Sequence, residues 1–380
     1  MKKTFNKIDK PLLVLTIICL VFGVMMVGSA SSLKSYMKYQ DNYFYFKRQL
    51  MFILMGLFAA FIIIKTPIKR YRGLIHIGVL GILGALMFVL LNEKVMNGVS
   101  GWLFIGGFGI QPSEFAKTVL ILYLALTFEK YMKIKYISNV RKVLPFIVPL
   151  MFMMLIFLQP DLGTMLILLG ITSVIFFLVP YDRKTKFVMV MFTIVSVLLL
   201  AVVMMATGKG LTESQKERFN YKNPCSRYRK KTGYQVCNGY IAINSAPILP
   251  TNFGNSKQKY LYLPEAHTDF IFAIIIEEMG LVVGIIMLLV YFLIIWRIIM
   301  IGKRSYNLQG TIISYGVATY ISLHVIINLV GVLGLLPLTG VPLPFYTYGG
   351  SFMINLLICL GLVQRVSVEN KVFEQKHIVR

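Results

Sequence analysis

Long apolar runs alternate with short clusters of charge along almost the whole chain, and this alternation constrains the fold more than any other feature. About 20 apolar residues are needed for a helix to cross the ~30 Å hydrocarbon core of a bilayer. Apolar residues make up 57% of the chain and charged residues only 14%, against about 25% charged in soluble domains. The sequence therefore predicts an all-α polytopic membrane protein of about ten transmembrane helices. Their approximate bounds are 11–31, 49–66, 73–92, 112–129, 143–159, 163–180, 186–206, 268–296, 308–334 and 348–366.

The distribution of Lys and Arg predicts the orientation of these helices. The first run is long enough to span, so we expect it to be retained and not cleaved as a signal peptide. With the N-terminus inside, 23 basic residues fall on the cytoplasmic side and five on the other, if the long 207–265 segment is left out. Long loops translocate regardless of their charge, so leaving it out is justified. We expect both termini in the cytoplasm and one domain over 1–380, with 207–265 as a large external loop between helices 7 and 8.

The net charge of +24 raises the question of nucleic-acid binding. The basic residues are spread among loops instead of forming one patch, and no nucleic-acid-binding motif accompanies them. Topology accounts for much of the charge, and we expect no nucleic-acid partner.

The four cysteines divide between the spans and the external loop. Cys19 and Cys359 fall in predicted spans, where cysteine serves as an apolar packing residue. Cys225 and Cys237 share the external loop, in a compartment that permits disulfides. A disulfide and two free thiols are both compatible with this spacing.

Glu114 and Lys117 are two charges inside the fourth predicted span, which begins with Pro112. Charges at membrane depth are costly and require a reason. Their i, i+3 spacing places them on one helix face, within reach of each other. Two interpretations are open: a structural ion pair buried between helices, or a pair that lines a cavity and contacts substrate.

A second group of ionisable residues, Glu265, His267 and Asp269, lies at the external start of the eighth span. Thr268 or Asp269 has the side chain of a helix N-cap. Alternatively, a partly desolvated Asp269 has the character of a general base. The loop before it carries Arg218, Lys257 and Lys259, which are either solvated charges or a clamp for phosphate groups. An anionic lipid is the ligand that such a site would suit.

Several motifs in a fixed order resemble the SEDS (shape, elongation, division and sporulation) family, which includes FtsW, RodA and SpoVE. The resemblance extends from the first span to the last, and the stretches Asn223–Cys225 and Gly233–Cys237 are similar to FtsW-like members of Gram-positive bacteria. The matching stretches are Gln111–Lys117, Gln159–Thr164, Gly254–Tyr260, Leu263–Ala273, Glu277–Gly280, Pro337–Phe345 and Tyr348–Ser351.

The resemblance implies a peptidoglycan glycosyltransferase of the bacterial cytoplasmic membrane. It would polymerise lipid II on the outer face, from undecaprenyl-pyrophosphate-linked glycan, with Asp269 at the position of the family's essential acid. Implied partners are a class B penicillin-binding protein and divisome or elongasome components, and the loop favours a role in division. Whether Asp269 is a base or the ligand of a divalent cation (Mg or Mn) stays open. Expected substrate-binding residues are Trp102, Glu114, Lys117, Asp161, Arg218, Lys257, Lys259, His267 and Ser351.

Two departures from the family pattern leave rival functions open, namely a lipid II flippase or transporter and a non-catalytic scaffold for the penicillin-binding protein. Gly98–Trp102 lacks the basic residue that usually stands near the Trp. Ala246–Phe253 replaces a Gly-rich run. Because Pro and Ile do not allow the conformations open to Gly, we expect this replacement to reshape the external loop.

Overall fold

The fold is a bundle of long helices, described by a computed structural model. It describes residues 6–378 apart from 93–100, 135–138, 188–189, 192–222, 228–230, 251–253, 255, 261 and 265. The helices are α1 Lys10–Tyr39, α2 Phe44–Lys65, α3 Ile75–Leu91, α4 Pro112–Tyr131, α5 Asn139–Val143, α6 Ile147–Leu158, α7 Leu162–Leu178, α8 Lys231–Asn244, α9 Ile271–Lys303, α10 Leu308–Val332 and α11 Gly350–Ile378. Two short strands, β1 Leu103–Ile105 and β2 Phe108–Ile110, form an antiparallel hairpin.

Nine of the ten predicted spans coincide with helices, and most of the remaining one, 186–206, lies outside the described residues. Six described helices are long and apolar enough to cross a membrane, and α3 and α7 are shorter apolar helices. Pro112 opens α4 as predicted. Three predicted boundaries were wrong: α1 continues to Tyr39, α9 to Lys303 and α11 to Ile378. The hairpin is a small departure from an all-α fold.

The interior and the outer surface of the bundle are both apolar, as expected when the surrounding solvent is lipid. α11 packs along α2, and α10 contacts α4, α7 and α9. Large apolar side chains such as Phe58, Leu80 and Phe292 are exposed. A soluble protein would not present so many of them on long helices. The exposed faces of the bundle are therefore its lipid-facing surface.

The two ends of the chain meet on one face of the bundle. The Gln364 amide exchanges hydrogen bonds with the backbone of Asp9, at 2.8 and 3.0 Å. The Lys371 ammonium donates to the Ile8 carbonyl at 3.0 Å. These contacts agree with the prediction that both termini share one side of the membrane.

Helix α9 is broken at Gly280, which has φ 80° and ψ 167°. The part after the break, Leu281–Lys303, is about 35 Å long and crosses a hydrocarbon core by itself. The part before it, from Ile271, is a short helix that buries almost every residue. The predicted eighth span therefore comprises a membrane helix preceded by a separate buried helix.

The 207–265 segment, predicted as the large external loop, contains helix α8 and a disulfide. Cys225 and Cys237 are bonded, which ties α8 to the short 3₁₀ turn at Pro224–Arg227. Of the two alternatives that the sequence left open, the disulfide is the one formed. Cys19 and Cys359 are free and buried, as predicted for packing residues.

Candidate active site

Asp269 lies in the loop immediately before α9, and it is partly buried. Its carboxylate lies against a second loop: a Cβ added at Gly340 would be 3.5 Å from Asp269 Oδ2. The N-cap of α9 is Phe270, without a capping side chain. The N-cap position therefore belongs to Phe270 and not to Thr268 or Asp269, the two residues that the sequence offered for it. The carboxylate thus lies where the loop before α9 meets the loop at Gly340.

Two hydrogen bonds join the Asp269 loop to the segment from Val341 to Tyr348, and a third orders that segment internally. The Tyr348 amide donates to the His267 carbonyl at 2.9 Å. The Thr347 hydroxyl donates to the Thr268 carbonyl at 3.3 Å and accepts from the Leu343 amide at 2.8 Å. Two segments almost eighty residues apart are thus fixed to each other beside Asp269.

His267 is enclosed instead of facing the exterior. Only 3% of its surface is exposed, and its ring lies 4.7 Å from Tyr45 and 5.8 Å from Tyr348. Burial, together with the nearby charge of Lys34, lowers the pKa of His267 to about 3. A neutral packed imidazole is not the substrate-facing group that we expected.

Glu114 and Lys117 form a salt bridge of 2.8 Å inside the bundle. Lys117 is fully buried and Glu114 is 3% exposed. The Lys117 ammonium also lies 3.1 Å from His324 Nε2 and 5.6 Å from the centre of the Tyr320 ring. This enclosure favours the first interpretation, a structural ion pair.

Asp161 and Ser351 hold neighbouring loops in place. Asp161 caps α7 by accepting from the Thr164 amide at 3.0 Å, and it accepts from the Gln111 side chain at 3.2 Å. The Ser351 hydroxyl accepts from the Gln111 amide at 3.0 Å. Both were predicted to bind substrate, and the structure gives both a role in fixing the start of α4.

Trp102 packs across the β1–β2 hairpin. Its ring occupies the space where a Cβ at Gly109 would lie, 3.1 Å from Cε3. The side chain is only partly buried, so an accessible part remains for a ligand. The residues Gly98–Ser100, where the family's basic residue is missing, lie outside the described part of the chain.

The predicted phosphate clamp is only partly available. Lys259 forms a 2.8 Å salt bridge with the fully buried Glu278 and donates to Ser29 at 2.9 Å. Its charge is thereby neutralised inside the protein, contrary to the expectation of a free loop cation. Lys257 is exposed, and Arg218 lies outside the described residues.

Glu277 and Glu278 were not identified as site residues from the sequence. Glu278 accepts from the Gly254 amide at 3.2 Å. Glu277 accepts from the Lys257 amide at 3.1 Å and from the Ser256 hydroxyl. The two carboxylates therefore hold the Gly254–Lys259 loop against the short buried helix of α9. The only local indication of this role in the sequence was that the two acids are adjacent within the family-matching stretch Glu277–Gly280.

The segment that replaces the Gly-rich run packs into the break of α9. The Pro247 and Ile248 carbonyls accept from the Leu281 and Val282 amides at 2.9 and 3.2 Å. A Cβ at Gly280 would lie 2.8–2.9 Å from the backbone of Ile248 and Leu249. The close backbone approach thus uses the glycine on the helix, so Pro247–Leu249 contact α9 without glycines of their own.

Arg48 on α2 is a second residue that the sequence did not single out. Its guanidinium lies 4.6 Å from the Phe44 ring and 5.1 Å from the Phe108 ring. It donates to the Gly107 carbonyl at 3.3 Å and lies close to the Tyr348 side chain. No carboxylate pairs with it among the residues that the structure describes. Arg48 is therefore a cation of α2 that packs against the β1–β2 hairpin, next to which Trp102 lies.

No group of three or more potential metal ligands occurs within the described ranges. Asp269 would therefore supply one ligand to a divalent cation, and the others would have to come from substrate and water. The described residues do not form a pre-built metal site.

These features define a polytopic membrane protein with an aspartate held between two loops at one end of its helix bundle. The FtsW/RodA/SpoVE family model, described as a cell cycle protein, matches residues 10–372. The chain belongs to this family.

Relatives and solved structures cover nearly the whole chain. The probable peptidoglycan glycosyltransferase FtsW of Wigglesworthia glossinidia brevipalpis is 34% identical, over 98% of this chain and 97% of its own. Stage V sporulation protein E of Bacillus subtilis is 33% identical, over 94% and 96%. A chain from a peptidoglycan synthase complex that coordinates polymerization and crosslinking aligns with a TM-score of 0.74 at 27% identity, covering 96% and 98%. The rod shape determining protein RodA of Thermus thermophilus aligns with a TM-score of 0.66 at 26% identity, covering 95% and 96%.

Proposed function

We propose that this protein is a peptidoglycan glycosyltransferase that polymerises lipid II into glycan strands at the outer face of the bacterial cytoplasmic membrane. The observation that carries the proposal is the placement of Asp269. Its partly buried carboxylate is fixed between two loops in a chain that matches glycosyltransferase relatives over nearly its full length. We place its role in cell division, together with a class B penicillin-binding protein that cross-links the product.

Asp269 acts in this proposal as the general base of an inverting transfer. The 4-hydroxyl of the acceptor GlcNAc attacks C1 of the donor MurNAc, and the bond from C1 to the pyrophosphate oxygen breaks. The α-linked donor becomes a β-1,4 product in one displacement, so a base on the attacking side must take the hydroxyl proton. A carboxylate held by its surroundings needs no reorganisation during the step.

The departing undecaprenyl pyrophosphate requires positive charge. Lys259 is neutralised by Glu278, whereas Arg48 on α2 and Lys257 in the Gly254–Lys259 loop are described cations that fit this role. Arg48 is the stronger candidate because its aromatic neighbours and the Gly107 carbonyl hold the guanidinium in place. An arginine so oriented binds phosphate oxygens with two parallel hydrogen bonds.

The experiment that tests the proposal is glycan polymerisation from purified lipid II by Asp269→Asn. This variant keeps the shape of the side chain but cannot take a proton, so polymer should disappear while expression and the melting temperature stay normal. Asp182→Asn is a matched control on the predicted cytoplasmic side. Asp182 accepts hydrogen bonds from the amide and the hydroxyl of Thr185, and Asn can replace Asp in such a capping role. Near-normal polymer from Asp269→Asn would refute the assignment.

The same assay, run with and without a class B penicillin-binding protein, separates the rival functions. Lipid II movement across a vesicle without polymer would identify a transporter. Neither activity, with the complex intact, would identify a scaffold. The charge pair that suggested a transport path is enclosed, and Pro247 and Ile248, which replace part of the Gly-rich run, are hydrogen-bonded to α9. Both observations favour the enzyme.

A further inference from the structure

Helix α10 carries two buried polar side chains one turn apart, His324 and Asn328. Their exposed fractions are 0% and 2%. A spacing of four residues puts them on the same helix face, and both contact the segment that packs beside Asp269. Polar groups buried this deeply are costly unless they are hydrogen-bonded, so their partners show what the face holds in place.

Asn328 binds two backbone carbonyls through one amide nitrogen. Its Nδ2 lies 2.9 Å from the Asp269 carbonyl and 2.8 Å from the Val341 carbonyl. The amide group carries two hydrogens, so one is available for each acceptor. Val341 follows Gly340, which lies against the Asp269 carboxylate. Asn328 therefore ties down both the backbone of Asp269 and the loop that its carboxylate touches.

His324 holds the next carbonyl of the same loop. Its Nδ1 lies 3.0 Å from the Pro342 carbonyl, which can only accept, so Nδ1 carries the proton. In the neutral ring Nε2 is then an acceptor, and the Lys117 ammonium donates to it at 3.1 Å. The same ammonium is bound to Glu114 at 2.8 Å. The ion pair thus fixes the orientation of His324 and, through it, the loop.

We infer that Asn328 is a positioning residue for Asp269, and that the Glu114–Lys117 pair acts on the same loop through His324 instead of contacting substrate. This inference rests on the proposed function, in which Asp269 is the catalytic base. The ion pair is enclosed, and a continuous series of hydrogen bonds leads from it to the loop beside Asp269. Misplacing a reacting group by about 1 Å lowers a rate roughly 100-fold.

The first test compares Asn328→Leu with Asn370→Leu. Asn370 is a matched control because it is also buried and donates to a backbone carbonyl, that of Ile301 at 3.2 Å, far from Asp269. We expect Asn328→Leu to lower kcat for polymerisation roughly 10- to 100-fold with the KM for lipid II unchanged. Hydrogen exchange should accelerate at residues 266–273 and 338–343 in Asn328→Leu and stay unchanged there in Asn370→Leu.

A second pair of variants protects the test against misfolding and addresses the ion pair. Asn328→Ser keeps one donor and should give an intermediate loss of kcat if Asn328→Leu does not fold. The double variant Glu114→Gln/Lys117→Met removes both charges together. It should lower kcat and accelerate exchange at 338–343, again with KM unchanged. A raised KM with normal kcat would mean substrate contact and would overturn the inference.

The two proposals fail in different ways. If Asp269→Asn polymerises lipid II normally, the proposed base is wrong whatever Asn328 does. If Asp269→Asn is inactive but folded Asn328→Leu or Asn328→Ser matches the Asn370→Leu control in both kcat and exchange, only the positioning inference falls.

Discussion

Replacing Gly280 by alanine tests how the broken helix α9 and the segment before Pro250 fit together. Gly280 has φ 80° and ψ 167°, a conformation that is essentially restricted to glycine. The added Cβ would lie 2.8 Å from the Leu249 carbonyl carbon and 2.9 Å from the Ile248 and Leu249 oxygens. These are backbone atoms, so the contact cannot be relieved by rotating a side chain.

The expected cost follows from two contributions. The backbone conformation costs alanine about 1–3 kcal/mol. Moving the segment away breaks the hydrogen bonds from Leu281 and Val282 to Pro247 and Ile248, each worth about 0.5–1.5 kcal/mol. Together they give about 2–6 kcal/mol against this arrangement. The same displacement would loosen the short buried helix that follows Asp269, so activity should fall as well.

Thermal melting in detergent and the polymerisation assay measure both effects. Gly84→Ala is the control, because Gly84 lies within α3 with nothing within 4 Å of the added Cβ, and alanine is the better helix residue by about 1 kcal/mol. Gly280→Ala should melt below the wild type, and Gly84→Ala at or above it. A Gly280→Ala protein with wild-type melting and activity would contradict the assigned close approach.

Two further predictions concern side chains near Asp269. Arg48→Gln should raise the KM for lipid II. Arg48→Lys should restore part of the affinity, because lysine keeps the charge but loses the planar guanidinium that can bind two phosphate oxygens at once. Equal KM values in steady-state assays of the wild type and both variants would exclude Arg48 from the pyrophosphate site. His267 is neutral in the fold with a pKa of about 3, below the unfolded value of about 6.5, so its stabilising contribution is complete above pH 6.5 and is lost as the pH falls towards 3. Lowering the pH from 7 to 5 should therefore reduce the free energy of unfolding by about 2 kcal/mol and lower the melting temperature. His267→Phe should lose this pH sensitivity. His76→Phe, which changes an exposed histidine, should retain it.

The sequence predicted those features that depend on local composition. Runs of apolar residues located nine helices, since a segment that crosses lipid must be apolar along its whole length. The break at Gly280 was missed because Leu281–Lys303 and the buried helix before it are both apolar. Hydropathy cannot separate a helix that faces lipid from one that is buried in protein.

The candidate site was predicted in part. Asp269 emerged from its position and from a family resemblance, whereas Lys259 and His267 were expected to face substrate and instead lie inside the protein. Lys259 pairs with Glu278, and His267 packs between Tyr45 and Tyr348. The partners of Lys259 and His267 are distant in sequence or lie on other helices, so no local sequence pattern predicts these contacts.

The sequence by itself determined that this chain is a multi-span membrane protein, which end of its spans carries the unusual polar residues, and which acid is the candidate base. Only the tertiary structure decided which of the charged residues are enclosed and which remain accessible. The physical reason is that burial and pairing of a charge depend on the three-dimensional neighbours of its atoms. Lys117 and Arg48 are both cations next to apolar runs of the sequence, yet one is neutralised between helices and the other lies on an aromatic surface beside the site.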